Sequence, residues 1–244
     1  MKKALQMYAV RALCKESLEK ALKKVSEIGF DGVEFAGFYD CPAEEVAGWL
    51  KKYHLEVMGA HIHAEEIFDK AAETIQYQTV LGNKRIICPY YDLKTRADVE
   101  ELAAKMNAVA DQYRAAGMKL YYHNHWHEFA KDGEDYLIDI LAALVPADVL
   151  SLEFDVYWIY RGGEEPVKYL KKYQDRIDIF HAKDGTMEKG TIAGTGNVPL
   201  EEVLKLAQEI DIQWAVVESE ASAEKEEQID AATKDFAYIS SLTK

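Results

Sequence analysis

The sequence predicts a closed (β/α)8 barrel, and three observations carry that reading. Eight short β-rich runs alternate with eight helical patterns from end to end, which implies parallel strands joined by helical crossovers. The chain has 244 residues, the length of one such barrel (about 250). No glycine-rich dinucleotide fingerprint follows the first strand, which weakens the rival open, doubly wound sheet. Residues 1–244 are therefore expected to form one domain.

The elements follow in order. Residues 4–10 (ALQMYAV) read as the first strand, and 17–28 as a helix with Leu18, Leu22, Val25 and Ile28 on one face. Gly29 stops that helix, being tolerant of the left-handed conformation. Residues 33–36 form the next strand, and Pro42 starts a helix over 43–53. Strand 55–61 precedes helix 65–81, and strand 85–88 precedes helix 97–116, which Gly117 ends. Strand 119–123 leads to helix 134–144, which stops before Pro146. Then come strand 149–154, helix 166–173, strand 177–181, helix 200–210, strand 214–217 and helix 223–240. The longest irregular stretch, 183–199, carries four glycines and is read as a functional or mobile loop.

Charge narrows the function. Lys and Arg number 29 against 43 Asp and Glu, a formal charge of −14. Such a balance opposes nucleic acid, whose binding releases counterions onto a basic surface, and it opposes anionic lipid. The same acidity also serves plain solubility. No signal-like opening or long apolar run occurs. Cys14, Cys41 and Cys88 lack metal-ligand spacing. They suit a reducing compartment, so a cytoplasmic location is expected.

Residues at strand C-termini converge on one barrel mouth, so polar residues there are the candidates for chemistry. Strand two carries Glu34, strand three ends in His61 with His63 beyond, and strand five ends in His123-Asn124-His125 with Glu128 behind. Strand six ends in Asp155, strand seven in His181 followed by Lys183 and Asp184, and strand eight in Glu218 and Glu220. Of seven histidines, only His54 and His127 are not at strand ends. Imidazoles and carboxylates from successive strands are what a divalent ion needs. Taken singly, Asp155 could be a cap and His181 a backbone-bonded histidine. Glu34 could equally be a structural acceptor or a substrate ligand, and His61 and His63 suit substrate better than metal. Tyr8, Phe35, Phe38, Tyr90, Tyr91, Trp126, Tyr157 and Trp158 gather near the same rim. Aromatic faces beside polar groups suit a sugar or polyol, although about half should be core by the usual burial of aromatics.

These motifs resemble the xylose-isomerase-like barrel superfamily of sugar-phosphate isomerases, 3-epimerases, inosose dehydratases and endonuclease IV. The matching residues are His123-Asn-His125-Trp-His-Glu128-Phe129, Phe154-Asp155-Val156-Tyr157-Trp158, His181-Ala-Lys183-Asp184, Gly194-Thr-Gly196-Asn-Val-Pro199 and Val217-Glu218-Ser-Glu220. The resemblance implies one divalent ion (Mn²⁺, Mg²⁺, Co²⁺ or Zn²⁺) on Glu128, Asp155, His181 and Glu218. Many epimerases carry the first of these directly on strand five, where this chain has His123, a departure similar to the inosose-dehydratase branch. If Glu128 points away, His123 or His125 completes the set.

The expected function is a metal-dependent isomerase or epimerase acting on a sugar or sugar-like polyol through an enediolate. Glu218 and Glu128 then move the proton, and His125 is a further catalytic candidate. Glu34, His61, His63, His123, Trp158 and Lys183 are the substrate-binding candidates. The alternative is a lyase or dehydratase that expels a β-substituent from a keto-inositol, 3-keto-sugar or keto-glycoside. A DNA-repair endonuclease is opposed by the charge, and a silent sugar-binding barrel remains the non-enzymatic reading. The expected partner is a small-molecule sugar or polyol, with no nucleic acid or membrane, for a monomer or homo-oligomer.

Overall fold

The computed structural model describes residues 1–219 and 224–243. Eight parallel strands close a barrel: β1 (Lys2–Gln6), β2 (Gly32–Ala36), β3 (Glu56–His61), β4 (Arg85–Cys88), β5 (Lys119–His123), β6 (Leu150–Asp155), β7 (Ile179–His181) and β8 (Trp214–Val217). Each strand pairs with its neighbours in chain order, and β1 closes the ring against β8 with Leu5 opposite Val217. Between them lie α1 (Arg11–Glu16), α2 (Leu18–Ile28), α3 (Ala43–Tyr53), α4 (Ala64–Phe68), α5 (Ala71–Leu81), α6 (Arg96–Ala115), α7 (Leu137–Leu144), α8 (Val156–Arg161), α9 (Pro166–Lys172), α10 (Leu200–Glu209) and α11 (Lys225–Leu242). Among the described residues no helix is long and apolar enough to cross a membrane.

Local chemistry explains where the sequence reading slips. The first strand ends at Gln6, because the Gln6 side-chain carbonyl accepts the Tyr8 N–H at 3.0 Å and bends residues 7–10 into a 3-10 turn. The helix expected over 65–81 breaks between α4 and α5 at Asp69 and Lys70. The helix expected from 134 begins at Leu137, because a two-stranded ribbon, 131–132 against 135–136, occupies its first turn. Asp155 ends β6 and caps α8 by accepting the N–H groups of Tyr157 and Trp158, a helix the sequence pattern does not announce. The last helix begins at Lys225, and its expected start, Ala223, lies outside the described residues.

The core has two layers. Ala4, Met58, Ile87, Tyr121, Ile179, Trp214 and Val216 fill the barrel itself, and a larger cluster packs the strands against the helices. Leu22, Val25, Leu141 and Leu204 are fully buried in that outer layer, each contributing about 1.5–3 kcal/mol of transfer free energy. Alternate residues of a strand face the same side. The residues following the interior apolar layer toward the strand C-termini are therefore brought into the barrel mouth.

Candidate active site and metal centre

Period-two alternation builds the site. Inside the barrel, Asp155 follows Glu153 on β6, His123 follows Tyr121 on β5, His181 follows Ile179 on β7, and Glu218 follows Val216 just past β8. His181 is the hub. Its Nδ1 lies 3.0 Å from Glu218 Oε2 and 3.9 Å from Asp155 Oδ2, while its Nε2 lies 2.8 Å from Glu34 Oε2. Glu153 Oε2 sits 3.0 Å from His61 Nε2, 3.2 Å from His123 Nδ1 and 3.4 Å from His181 Nε2. Gln6 donates to Glu34 at 2.6 Å. Gly59 makes room beside that carboxylate, since a Cβ there would stand 2.6 Å from Ile87 and 3.5 Å from Glu34 Oε1.

Buried oxygens are left over. Glu34 Oε1, Glu153 Oε1 and Asp155 Oδ2 have no hydrogen-bond partner among the described residues. Orphaned buried carboxylate oxygens are expensive unless something else binds them. One donor atom each from His123, Asp155, His181 and Glu218 lies within 4.8 Å of the others. Ligands held about 2.0–2.2 Å from one ion would stand at comparable spacing. These residues fit a single divalent ion.

Electrostatics follow from burial and neighbours. Burial pushes the Asp155 carboxyl up to about 7 against the pull of Lys183 and His181. Burial also opposes charge on Glu218, yet Lys183 and His181 hold its carboxyl well below the usual range. Lys183 Nζ is 3.5 Å from Glu218 and 4.0 Å from Asp155, and its ammonium lies 4.7 Å from the Trp158 ring centre. At His61 burial disfavours the imidazolium, but Glu34 and Glu153 outweigh it and raise the value to about 9. His125 goes the other way, lowered by burial to about 3, so it stands neutral with Nδ1 unpartnered among the described residues.

The expected residues do not all meet. Asp155, His181 and Glu218 come together, with Glu34, His61, His123 and Lys183 around them. Trp158 and His125 line the same cavity, and His63 lies along its wall further out. Glu128 does not join them. Its carboxylate accepts the Tyr122 hydroxyl at 2.7 Å and the His125 N–H at 2.8 Å, and it groups with His125 and His127 instead. Tyr122 faces outward, between the inward Tyr121 and His123, and draws Glu128 away from the barrel axis. His123 is the fourth member of the group with Asp155, His181 and Glu218, the alternative that the sequence reading named for the case that Glu128 turned away. Glu220 lies outside the described residues.

Sequence reasoning missed Glu153 and Gln6. The signal for Glu153 was available: if Asp155 points inward, so does the residue two before it. The loop after β7 is organised by Asp184, whose carboxylate accepts the N–H groups of Gly185, Gly194, Gly196 and Val198 at 2.8–3.1 Å. Any side chain at Gly196 would collide with that carboxylate. The eight rim aromatics divide, with Phe35 and Tyr157 buried in the core while Tyr8, Phe38, Tyr90 and Trp158 line the cavity.

Comparison with known proteins gives the same barrel. The pattern of the xylose isomerase-like TIM barrel family matches residues 22–240. An inosose dehydratase from Clostridium botulinum is 25% identical, over 91% of this chain and 89% of that protein. The crystal structure of a sugar phosphate isomerase/epimerase from Parabacteroides distasonis superposes with a TM-score of 0.84 at 22% identity, covering 100% of this chain and 96% of that one. The probable 3-DHS dehydratase of petrobactin synthesis from Bacillus anthracis superposes with a TM-score of 0.78 at 15% identity, over 100% and 99% of the two chains.

Proposed function

The chain belongs to the xylose isomerase-like TIM barrel family, and on that premise we propose that it is a metal-dependent isomerase or epimerase of a sugar or sugar-like polyol. One observation carries the reading: Asp155, His181 and Glu218 converge with an orphaned Asp155 oxygen between them. They are the residues to hold one divalent ion (Mn²⁺, Mg²⁺, Co²⁺ or Zn²⁺), with His123 as the fourth. Such an ion supplies Lewis acidity to a carbonyl and its neighbouring hydroxyl. Glu218, kept ionised beside Lys183, takes the proton from the carbon next to the carbonyl and returns it to the adjacent carbon. One base suffices for such a transfer along one face. Lys183 donates to a substrate oxygen, and Trp158 offers an apolar face to the ring. Epimerisation needs a second proton-transfer group on the far face of the substrate, and His125, which lines the cavity together with Glu218, is the candidate. Free Cys14, Cys41 and Cys88 suit a reducing cytoplasm.

A second reading has its own support. Glu128 is not among the residues that line the cavity, whereas His61, His123 and His125 line it together with Glu218. A histidine held as imidazolium can hand a proton to a departing β-oxygen. His61, raised to about 9 beside Glu34 and Glu153, lines the same cavity, which would make the enzyme a dehydratase or lyase on a keto-inositol or keto-sugar. The similarity to inosose dehydratases points the same way.

The test is exchange in D2O with Mn²⁺-loaded protein and a panel of ketoses and keto-cyclitols, followed by NMR. Deuterium beside the carbonyl with the carbon skeleton intact supports the isomerase. Loss of water or of a substituent supports the lyase. No exchange in any substrate, with metal bound, overturns both.

A further inference from the structure

The cavity above the candidate metal centre is larger than one sugar ring. Its volume is about 800 Å³, whereas a ring of twelve heavy atoms fills roughly 200 Å³ at protein packing density. The surplus runs sideways from His61, over the loop that follows β2 and along the first turns of α5. Phe38, Tyr39 and Tyr77 wall this arm.

Two further features show that the arm is built. Tyr39 and Asp40 are consecutive non-glycine residues in the left-handed region, at φ 53° and 59°, beside Gly37 at 86°. A bulky residue in that region is a strained outlier, and such strain persists only where the surroundings enforce it. Here the Tyr77 hydroxyl donates to the Cys41 carbonyl at 2.7 Å, and the Phe38 ring packs at a tilt between Phe35 and Tyr77, with ring centres 4.9 and 4.6 Å away. The loop is pinned to α5 as a fixed wall. Charge is the second feature. Asp40, Glu66 and Glu73 line the arm against one amine, Lys70, which is already paired to Glu65 at 2.9 Å. An anionic group would meet net repulsion there.

We propose that this arm is a second subsite, and that the substrate is an uncharged two-ring glycoside rather than a sugar phosphate. Its reacting ring sits against Glu218 and Trp158, and its second ring lies in the arm walled by Phe38, Tyr39 and Tyr77. The proposal rests on the reading of the mouth as a sugar or polyol site.

Calorimetric titration of Mn²⁺-loaded protein with three unreactive ligands tests it: a one-ring polyol, its neutral aryl glycoside and its phosphate monoester. The aryl glycoside is expected to bind at least tenfold tighter than the polyol, and the phosphate ester weakest. Thr74→Trp, which fills the arm from α5, should cancel the gain from the second ring and leave the one-ring ligand unchanged. Glu73→Lys, a change at an exposed position, should improve the phosphate ester alone. One-ring binding with no gain from the second ring, or a preference for the phosphate ester, overturns the subsite and leaves the sugar site standing. Failure of all three ligands to bind overturns the sugar site and the subsite together.

Discussion

The two ends of the barrel hold similar polar groups in opposite states. Near the strand N-termini, Asp178 takes Arg85 at 2.7 and 3.2 Å on one oxygen and the Tyr121 hydroxyl at 2.9 Å on the other, while Arg85 also donates to the Met58 carbonyl. At the C-terminal mouth, Glu34, Glu153 and Asp155 each keep a buried oxygen without a hydrogen-bond partner among the described residues. A closed network stabilises; an open one costs stability and is retained where a ligand will close it. On the proposed reading the barrel's lower end is scaffold and its upper end is site, and each change below tests that division.

Asp155→Asn should have the largest effect. The amide can still cap α8 but removes a buried anionic ligand. Metal affinity should fall by about 10²-fold or more, as loss of even an outer-sphere partner costs 10–100-fold. Because the buried charge is gone, Tm of the metal-free protein should rise by about 2–4 °C. Calorimetry with Mn²⁺ and a thermal melt check the two halves; unchanged metal affinity would place the upper end with the scaffold.

Arg85→Ala inverts the pattern. It removes the hydrogen bonds to Asp178 and Met58. Since both ion-pair partners are partly exposed, the cost should be about 2 kcal/mol, with Tm lower by about 4–8 °C. Metal affinity and exchange activity should not change. A drop in either would show that the lower network reaches the site.

The division was only partly legible in the sequence. Alternation and the strand-end residues placed the barrel, its mouth and the convergence of Asp155, His181 and Glu218, because these depend on local pattern and period. Strands β4, β5 and β8 and helix α3 lie where the sequence puts them. Glu153 was hidden by its setting in an apolar run, Leu152 and Phe154 flanking it, although the period of two implied it. Glu128 depends on a contact with Tyr122 that no spacing rule supplies, and the loop strain at Tyr39 and Asp40 has no sequence signature.

Asp235 on α11 sharpens the comparison through pH. Burial pushes its carboxyl up to about 7, although it accepts the Ala193 N–H at 2.7 Å and so ties the β7 loop to the outer helix. An unfolded chain releases that proton near pH 3.9. Between about pH 4 and 7 the folded state therefore binds a proton the unfolded state lacks. Stability falls as pH rises across that window, by at most about 1.4 kcal/mol per unit. Asp235→Asn should flatten this part of the slope, seen as a Tm difference from the parent that changes between pH 5 and 8. Parallel curves would remove Asp235 from the pH response.

Glu128→Gln should give the smallest effect, and it tests which histidine-rich group holds the metal. Glu128 accepts from Tyr122 and from the His125 backbone, so the amide oxygen can keep one of these bonds and the other is lost. The stability cost should be about 1 kcal/mol. Burial raises the Glu128 carboxyl, so replacing it by an amide removes little charge–charge stabilisation. Metal affinity should stay within about twofold, whereas loss of a true ligand would exceed the 10–100-fold typical of outer-sphere partners. A large loss of metal would mean that the His125–His127–Glu128 group, and not His123 with Asp155, His181 and Glu218, completes the centre.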